Sequence, residues 1–408
     1  MAEAPLIAAV RNGDDEALYA LLSGGADPDA VDEHGTPALC LAVDAFAGTV
    51  VDQLMWWARL DLPAADGRTP LVRAIDLGAD DIAATLVRRG ADLRLKDPEG
   101  RDALALARHW HAVGAEAELR RRTGASGPVA RRTVHRESGA VCEELSLGGL
   151  TVRTGHATIL TGLEPGYGIM PPFAELMERA LAEPDADHPV WWATVHTLRE
   201  RHDPAVWHEA AALQTRPDPM ERYFGAELLY AVVLFDESED ESFDEPLVDL
   251  LLPWAAREED PRVMRSLTAA LSNAWDPRSE QPMTALTRHP DGQVRGTAVA
   301  GLHRPVAAGD PGALATVVAC TQDTDATVRE TACHTLGQAA PKGSPTAADA
   351  LAARLGDEAE PVRVTAAVQL AQRDDPRGDE VLAALEPVDD TSPYYWQLDD
   401  VRRHRRTD

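Results

Sequence analysis

The sequence predicts a mainly α-helical protein, built as two successive arrays of stacked helices with a small β-hairpin-containing segment between them. Three observations carry that reading. The phrase Asp-x-x-Val-Arg-x-x-Ala recurs late in the chain: Arg295, Arg329 and Arg363 stand 34 residues apart, and Ala298, Ala332 or Ala366 follows each three residues later. Gly35-Thr36-Pro37, Gly67-Arg68-Thr69-Pro70-Leu71 and Gly100-Arg101-Asp102-Ala103-Leu104 recur earlier, at intervals of 32 and 33. Periods of this size mark helical units that cannot bury an apolar face alone and therefore stack. Between the two, Leu145 to Val152 alternates around Gly148-Gly149, and period-two alternation about a glycine pair signals a hairpin.

In the first array, proline in the first turn of a helix sacrifices no intrahelical hydrogen bond. Gly25-Ala26-Asp27 and Gly90-Ala91-Asp92 close units with a glycine cap. Together these motifs resemble ankyrin repeats, and the resemblance implies about four units over residues 1–125. Unit 67–99 keeps Gly67, Thr69, Pro70, Leu71, Gly78, Leu86 and Gly90. Unit 35–66 departs from the pattern: Thr36-Pro37 is one residue out of step, and Trp56, Trp57 and Arg59 occupy its closing Leu-Leu and Gly positions. The fourth unit has lost Thr-Pro and ends in Arg120-Arg121-Arg122, a polar face suited to a terminal cap.

Residues 126–187 form the connector with the predicted hairpin. The basic run Arg120 to Arg122, Arg131, Arg132 and Arg136 is expected to pair with the acidic body of the protein. Gly166-Tyr167-Gly168 and Pro171-Pro172 punctuate the entry to the next helices. From 188 to 388 the recurring phrase at helix starts resembles HEAT repeats, with 389–408 as a C-terminal tail whose basic end, Arg402 to Arg406, is expected to fray. The HEAT resemblance implies that the turn Asp and helix Arg line up as a structural ladder between repeats. A carboxylate ahead of a helix also caps its free N–H groups.

Charge excludes one large class of partner. The chain has 68 acidic and 39 basic side chains, for a formal charge of -29. A phosphate backbone is repelled by such a field, so nucleic acid is not the expected ligand, whereas a basic protein is steered toward it. Only Lys96 and Lys342 are lysines, the usage of a GC-rich bacterial genome. No run of 18 apolar residues suggests a membrane span, and Met1-Ala2-Glu3 opens without a signal sequence. The expected location is cytoplasmic. Cys40, Cys142, Cys320 and Cys333 are scattered and read as small buried hydrophobes.

Chemistry is sparse. His196, His202 and His208 lie at six-residue spacings, which place consecutive rings on different faces of a helix, unlike a His-x-x-x-His metal pair. No nucleophile elbow, Walker loop or dinucleotide fingerprint occurs. No catalytic, cofactor or metal residue is assigned. The two resemblances imply a protein-binding scaffold or adaptor that uses concave surfaces. In ankyrin-like repeats, finger tips and first helices make the contacts, which here are Arg11, Asp32, Glu33, His34, Asp44, Asp76 and Arg108. The acidic run 236–245 adds Asp240, Glu241 and Phe243 as a finger for a basic partner. A sharper form is an acidic inhibitor or immunity protein that masks a basic protein. The alternative is a HEAT-like lyase or peptide-modifying enzyme using the Trp/His region 188–208.

Overall fold

A computed structural model describes residues 4–136, 139–235, 244–274, 276–385, 387–388 and 392–407. The chain falls into two units, Met1–His202 and Asp203–Asp408. In the first, eight short helices form four antiparallel pairs: α1 (Pro5–Asn12) with α2 (Asp15–Ser23), α3 (Ala38–Asp44) with α4 (Gly48–Leu54), α5 (Pro70–Asp76) with α6 (Asp80–Arg88), and α7 (Ala103–Val113) with α8 (Ala115–Thr123). Local chemistry sets their starts. The side chains of Asp14, Thr69 and Asp102 accept from the N–H groups of Ala17, Val72 and Ala105, satisfying donors that a helix leaves free. Each pair buries leucine and isoleucine against the next, among them Ile7, Leu18, Leu39, Leu71, Ile75, Leu86 and Leu106.

The stack then changes character. An antiparallel sheet of order β1 (Ala130–His135), β2 (Val141–Leu147), β3 (Leu150–Arg153) follows α8. Leu147 pairs with Leu150 across Gly148 and Gly149, whose φ of 57° and 85° suit the twist of a two-residue hairpin turn. The sequence signalled β2 and β3 but not β1, which pairs Ala130 to His135 with Ser146 to Val141. α8 packs on β2 and β3, while α9 (His156–Leu163) lies against α6 and α7. α11 (Pro189–Arg199), which the sequence groups with the later array, packs on α9 and on α10 (Phe173–Leu181) within the first unit.

The basic run is spent internally. Arg120 donates to Glu116, Arg121 to Glu118, Arg131 to Glu116 and Glu143, Arg132 to Glu144 and Arg136 to Asp80.

The second unit has two helical layers. One comprises α13 (Pro219–Leu234), α15 (Pro261–Asn273), α17 (Gly292–Gly301), α20 (Ala326–Ala339) and α22 (Glu360–Ala371), each packed on the next. Helices α12 (Pro204–Ala212), α14 (Asp244–Ala255), α16 (Glu280–Leu286), α18 (His303–Ala307), α19 (Pro311–Cys320), α21 (Pro345–Ala352) and α23 (Asp379–Ala384) complete it.

A repeated arginine ties the first layer together. Arg222, Arg295, Arg329 and Arg363 each donate backward to the two backbone carbonyls six and five residues earlier. The first three also reach forward to Glu258, Asp323 and Asp357 of the next repeat. The ladder carboxylate therefore lies two residues before the helix cap in these repeats. Asp325 only caps, accepting from Thr327 N–H, which corrects the simple pairing of turn Asp with helix Arg. In α15 the arginine is one position late, at Arg265, and pairs with the cap Asp291. The basic C-terminus is not frayed: α24 (Tyr395–Thr407) buries Leu398 and Val401, three residues apart on one face, with Val364, Val368 and Leu382.

Candidate protein-binding surface

The residues assigned from ankyrin-like position divide by burial. Asp32 is internal: it accepts from the N–H groups of His34 and Thr36 at 2.9 Å each and from Arg11 at 2.8 Å, closing its finger turn. Burial pushes its carboxyl up, but those N–H groups and cations hold it below the usual range. Asp76 is buried and central. It accepts both Nη atoms of Arg122 at 2.7 Å, Arg68 Nη1 at 2.9 Å and Trp110 Nε1 at 2.9 Å. Burial opposes its ionisation, yet Arg122 and Trp110 leave it below the usual carboxylate range. Trp110 in turn stacks on His156 with centroids 4.3 Å apart, and full burial pushes that imidazole down to about 4. Asp44 accepts from Arg73 at 2.6 Å, and burial raises its carboxyl. Glu33, His34 and Arg108 are exposed. Asp240, Glu241 and Phe243, with the rest of 236–243, lie outside the described residues.

The histidines of 188–208 have separate tasks. His188 is the buried cap of α11, its Nδ1 accepting from Val190 N–H at 3.3 Å and its Nε2 lying 3.3 Å from Thr154 Oγ1. Burial and nearby Arg136 push it down to about 4. His202 and His208 donate Nδ1–H to the carbonyls of Glu200 and Pro204, at 2.9 Å and 2.7 Å. Among the described residues no three His, Cys, Asp or Glu side chains converge as a metal site. All four cysteines are free and buried. Burial pushes Cys40 and Cys333 up to about 12, far from thiolate chemistry at neutral pH.

Two surfaces remain that could hold a partner. The first is the outer side of the opening helix pairs. Residues 4–66 carry eleven Asp and Glu against Arg11 and Arg59, of which Asp32 is internal and Asp44 and Asp66 are held by Arg73. The same segment exposes Tyr19, Trp56 and Trp57. Trp56 already holds one guanidinium, with Arg89 3.8 Å above its ring. The second is a cleft of about 1000 Å³ in the first unit, walled by α6, the β1–β2 turn, α9 and the start of α11. Ala83, Val87, Ile159, Leu163 and Ala193 line it, with Asp80, Asp81, Arg88, Arg136, Asp187, Trp192 and His196 as its polar and aromatic members. Trp192 is exposed and stacks on His196 at 5.6 Å. That pair sits four residues apart on one helix face, a spacing visible in the sequence once stacking is considered beside metal ligation.

Comparison with known proteins supports the repeat resemblances. Residues 6–97 match the family model for ankyrin repeats (3 copies), and residues 280–372 match that for HEAT repeats. Neurogenic locus notch homolog protein 2 from Homo sapiens and its Mus musculus counterpart are each 37% identical to this chain over 113 residues. That stretch is 27% of this chain but only 4% of either relative's length. Among the described residues no helix is long and apolar enough to cross a membrane.

Proposed function

From a chain that carries ankyrin repeats followed by HEAT repeats, we propose a non-catalytic protein-binding scaffold of the bacterial cytoplasm whose partner is basic. The sharper form of the reading is an inhibitor or immunity protein that covers a cationic surface. One observation carries it. Residues 4–66 carry eleven acidic against two basic side chains and expose Tyr19, Trp56 and Trp57, a combination that steers a basic protein and then anchors it. Stacked repeats offer the extended surface such a contact needs. The acidic residues 236–245 extend the same charge argument along the sequence.

The test is capture of partners by the tagged chain from the cells that make it, at low and at high salt, alongside the double variant Glu16→Lys, Asp52→Lys. Both positions are exposed helical carboxylates. The expected result is a defined basic protein released by salt, associating about tenfold more slowly with the variant, and losing its own activity when the unaltered chain is added. A partner that is acidic, or one held equally at both salts by chain and variant, overturns the reading.

A further inference from the structure

The cleft between α6, α9 and α11 is not part of a regular repeat groove, because two of its walls come from the helices that follow the ankyrin repeats. Its floor is apolar and shallow-sided: Ala83, Ala84, Gly162 and Ala193 contribute little bulk, and the buried Ile159 and Leu163 border it from the core. About 1000 Å³ is room for several side chains. Ala84, Arg88, Asp187 and Trp192 are exposed along its rim. An open rim of this kind suits a chain segment laid across it better than an enclosed small molecule.

Charge decides what kind of segment. Three carboxylates, Asp80, Asp81 and Asp187, line the cleft against two cations, Arg88 and Arg136. Arg136 is committed, donating to both oxygens of Asp80, with Nη1 at 2.7 Å. Arg88 donates to Thr85 on its own helix at 2.8 Å. Asp81 Oδ1 accepts from Ile82 N–H at 2.9 Å and its Oδ2 makes long ion pairs, 3.7 Å, with Arg136 and Arg153, while the side chain stays 40% exposed. Asp187 stands exposed, its backbone pinned by Val141 N–H donating to its carbonyl at 3.0 Å. An incoming anion meets two carboxylates, Arg136 held by Asp80, and Arg88 as the one cation on the rim among the described residues. An incoming cation meets Asp81, Asp187 and an indole whose face attracts positive charge. The orphaned Thr158 hydroxyl, buried at the wall without a partner, adds a polar group for the backbone of such a segment.

We propose that this cleft is the docking site for an extended segment of the partner in which apolar side chains alternate with arginine. The apolar side chains fill the floor over Val87, Ile159 and Leu163, and arginine packs on Trp192 beside Asp187. The proposal rests on the basic-partner reading above, but it fixes a different surface from the opening helix pairs.

The experiment uses the full chain and a fluorescent peptide of about ten residues alternating leucine and arginine. Two controls accompany it, one with glutamate for arginine and one with glycine for leucine. Ala84→Trp fills the cleft from an exposed helix position, and Trp192→Ala removes the exposed anchor with little effect on folding. The expected outcome is binding of the leucine–arginine peptide alone, weakened about tenfold or more by either variant and much less by Glu16→Lys, Asp52→Lys. Equal binding by both cleft variants overturns the site, as does equal binding of the glutamate peptide. Peptide binding lost only with Glu16→Lys, Asp52→Lys also overturns the cleft while leaving the acidic-scaffold reading standing. Conversely, cleft-dependent peptide binding with no basic partner captured from cells keeps the site and removes the scaffold reading.

Discussion

In the HEAT-containing unit an arginine donates back to the loop it came from and forward to the next repeat, and the arrangement recurs at Arg222, Arg295 and Arg329. The ankyrin-containing unit gathers arginine–carboxylate pairing into a knot: Arg68, Arg122 and Trp110 all donate to Asp76, and Arg122 also reaches Glu118. The ladder spreads its ion pairs along the array so that each joins only two neighbours. The knot sits where the regular stack ends and the sheet and α9 begin. The difference is between a device that propagates a repeat and one that terminates it.

The largest expected effect breaks the terminating device without touching a charge. Gly78 has φ +64°, and a Cβ there would lie 2.1 Å from the carbonyl oxygen of Arg153 and 2.6 Å from His156 Cε1. A Cβ on Gly155 would be just as crowded, 2.4 Å from the Gly78 oxygen, and Arg153 N–H donates to the Leu77 carbonyl at 2.7 Å. Gly78→Ala therefore combines left-handed backbone strain with a backbone clash, up to about 5 kcal/mol together. Urea unfolding followed by tryptophan fluorescence would measure it. A loss under about 1 kcal/mol would mean that β3 and α9 are not held against the repeats as described.

Gly78 also marks the limit of what the sequence disclosed. As part of an ankyrin-like pattern it was legible, but its neighbours were not: Arg153 and His156 come from 75 residues or more downstream, with no period to announce them. Repeats advertise themselves because each contact recurs at a fixed interval, which is why Arg295, Arg329 and Arg363 stood out. Even there, the true acceptors Asp323 and Asp357 sit just before the caps, and only the geometry distinguishes them from Asp325. Strand β1 was hidden because Arg131 and Arg132 read as charge, not as the exposed edge of a sheet. The cleft was hidden for the same reason as the Gly78 contacts: Asp81, Ile159 and Trp192 converge from separated stretches of one unit.

The next effect tests the ladder where it is most buried. Arg329 and Asp357 have side chains only 7% and 4% exposed. Arg329→Ala leaves that carboxylate without its bidentate partner and frees two loop carbonyls, a cost of about 3–4 kcal/mol. Asp357 is held below the usual carboxylate range first by Arg329, so its stabilisation is present at neutral pH and lost as pH falls through that lowered value. In Arg329→Ala the acid limb of the stability profile should flatten. An unchanged acid limb would remove the pair from the account of what holds these repeats together.

A smaller effect separates the units by pH. His156 and His188 are buried in the first unit with pKa values near 4, while the second unit has no fully buried histidine among its described residues. Between pH 6.5 and 5 the unfolded chain takes up protons that these folded imidazoles refuse. Stability present above 6.5 is therefore lost as pH falls toward 4, by about 2 kcal/mol per histidine at pH 5. Unfolding of the full chain should become biphasic or broaden at pH 5 as the first unit weakens ahead of the second. His188→Asn, which keeps a helix cap, should recover part of the loss, and a profile that ignores the substitution would exclude His188 as its source.

The smallest effect lies at the irregular rung. Arg265 stands five residues past its cap instead of four, is 41% exposed, and donates to Asp291 without reaching a loop carbonyl among the described residues. A half-solvated pair of this kind contributes at most about 1 kcal/mol and is screened by salt. Arg265→Ala should cost that little, and the cost should shrink further in about 0.5 M salt. If it instead matched Arg329→Ala, the one-residue shift in register would be immaterial, and the backward bonds to the loop would not be what makes the ladder strong. A small, salt-sensitive loss at Arg265 beside a large loss at Arg329 assigns that strength to the joint action of loop carbonyls and carboxylate, the combination that the knot at Asp76 reaches by a different route.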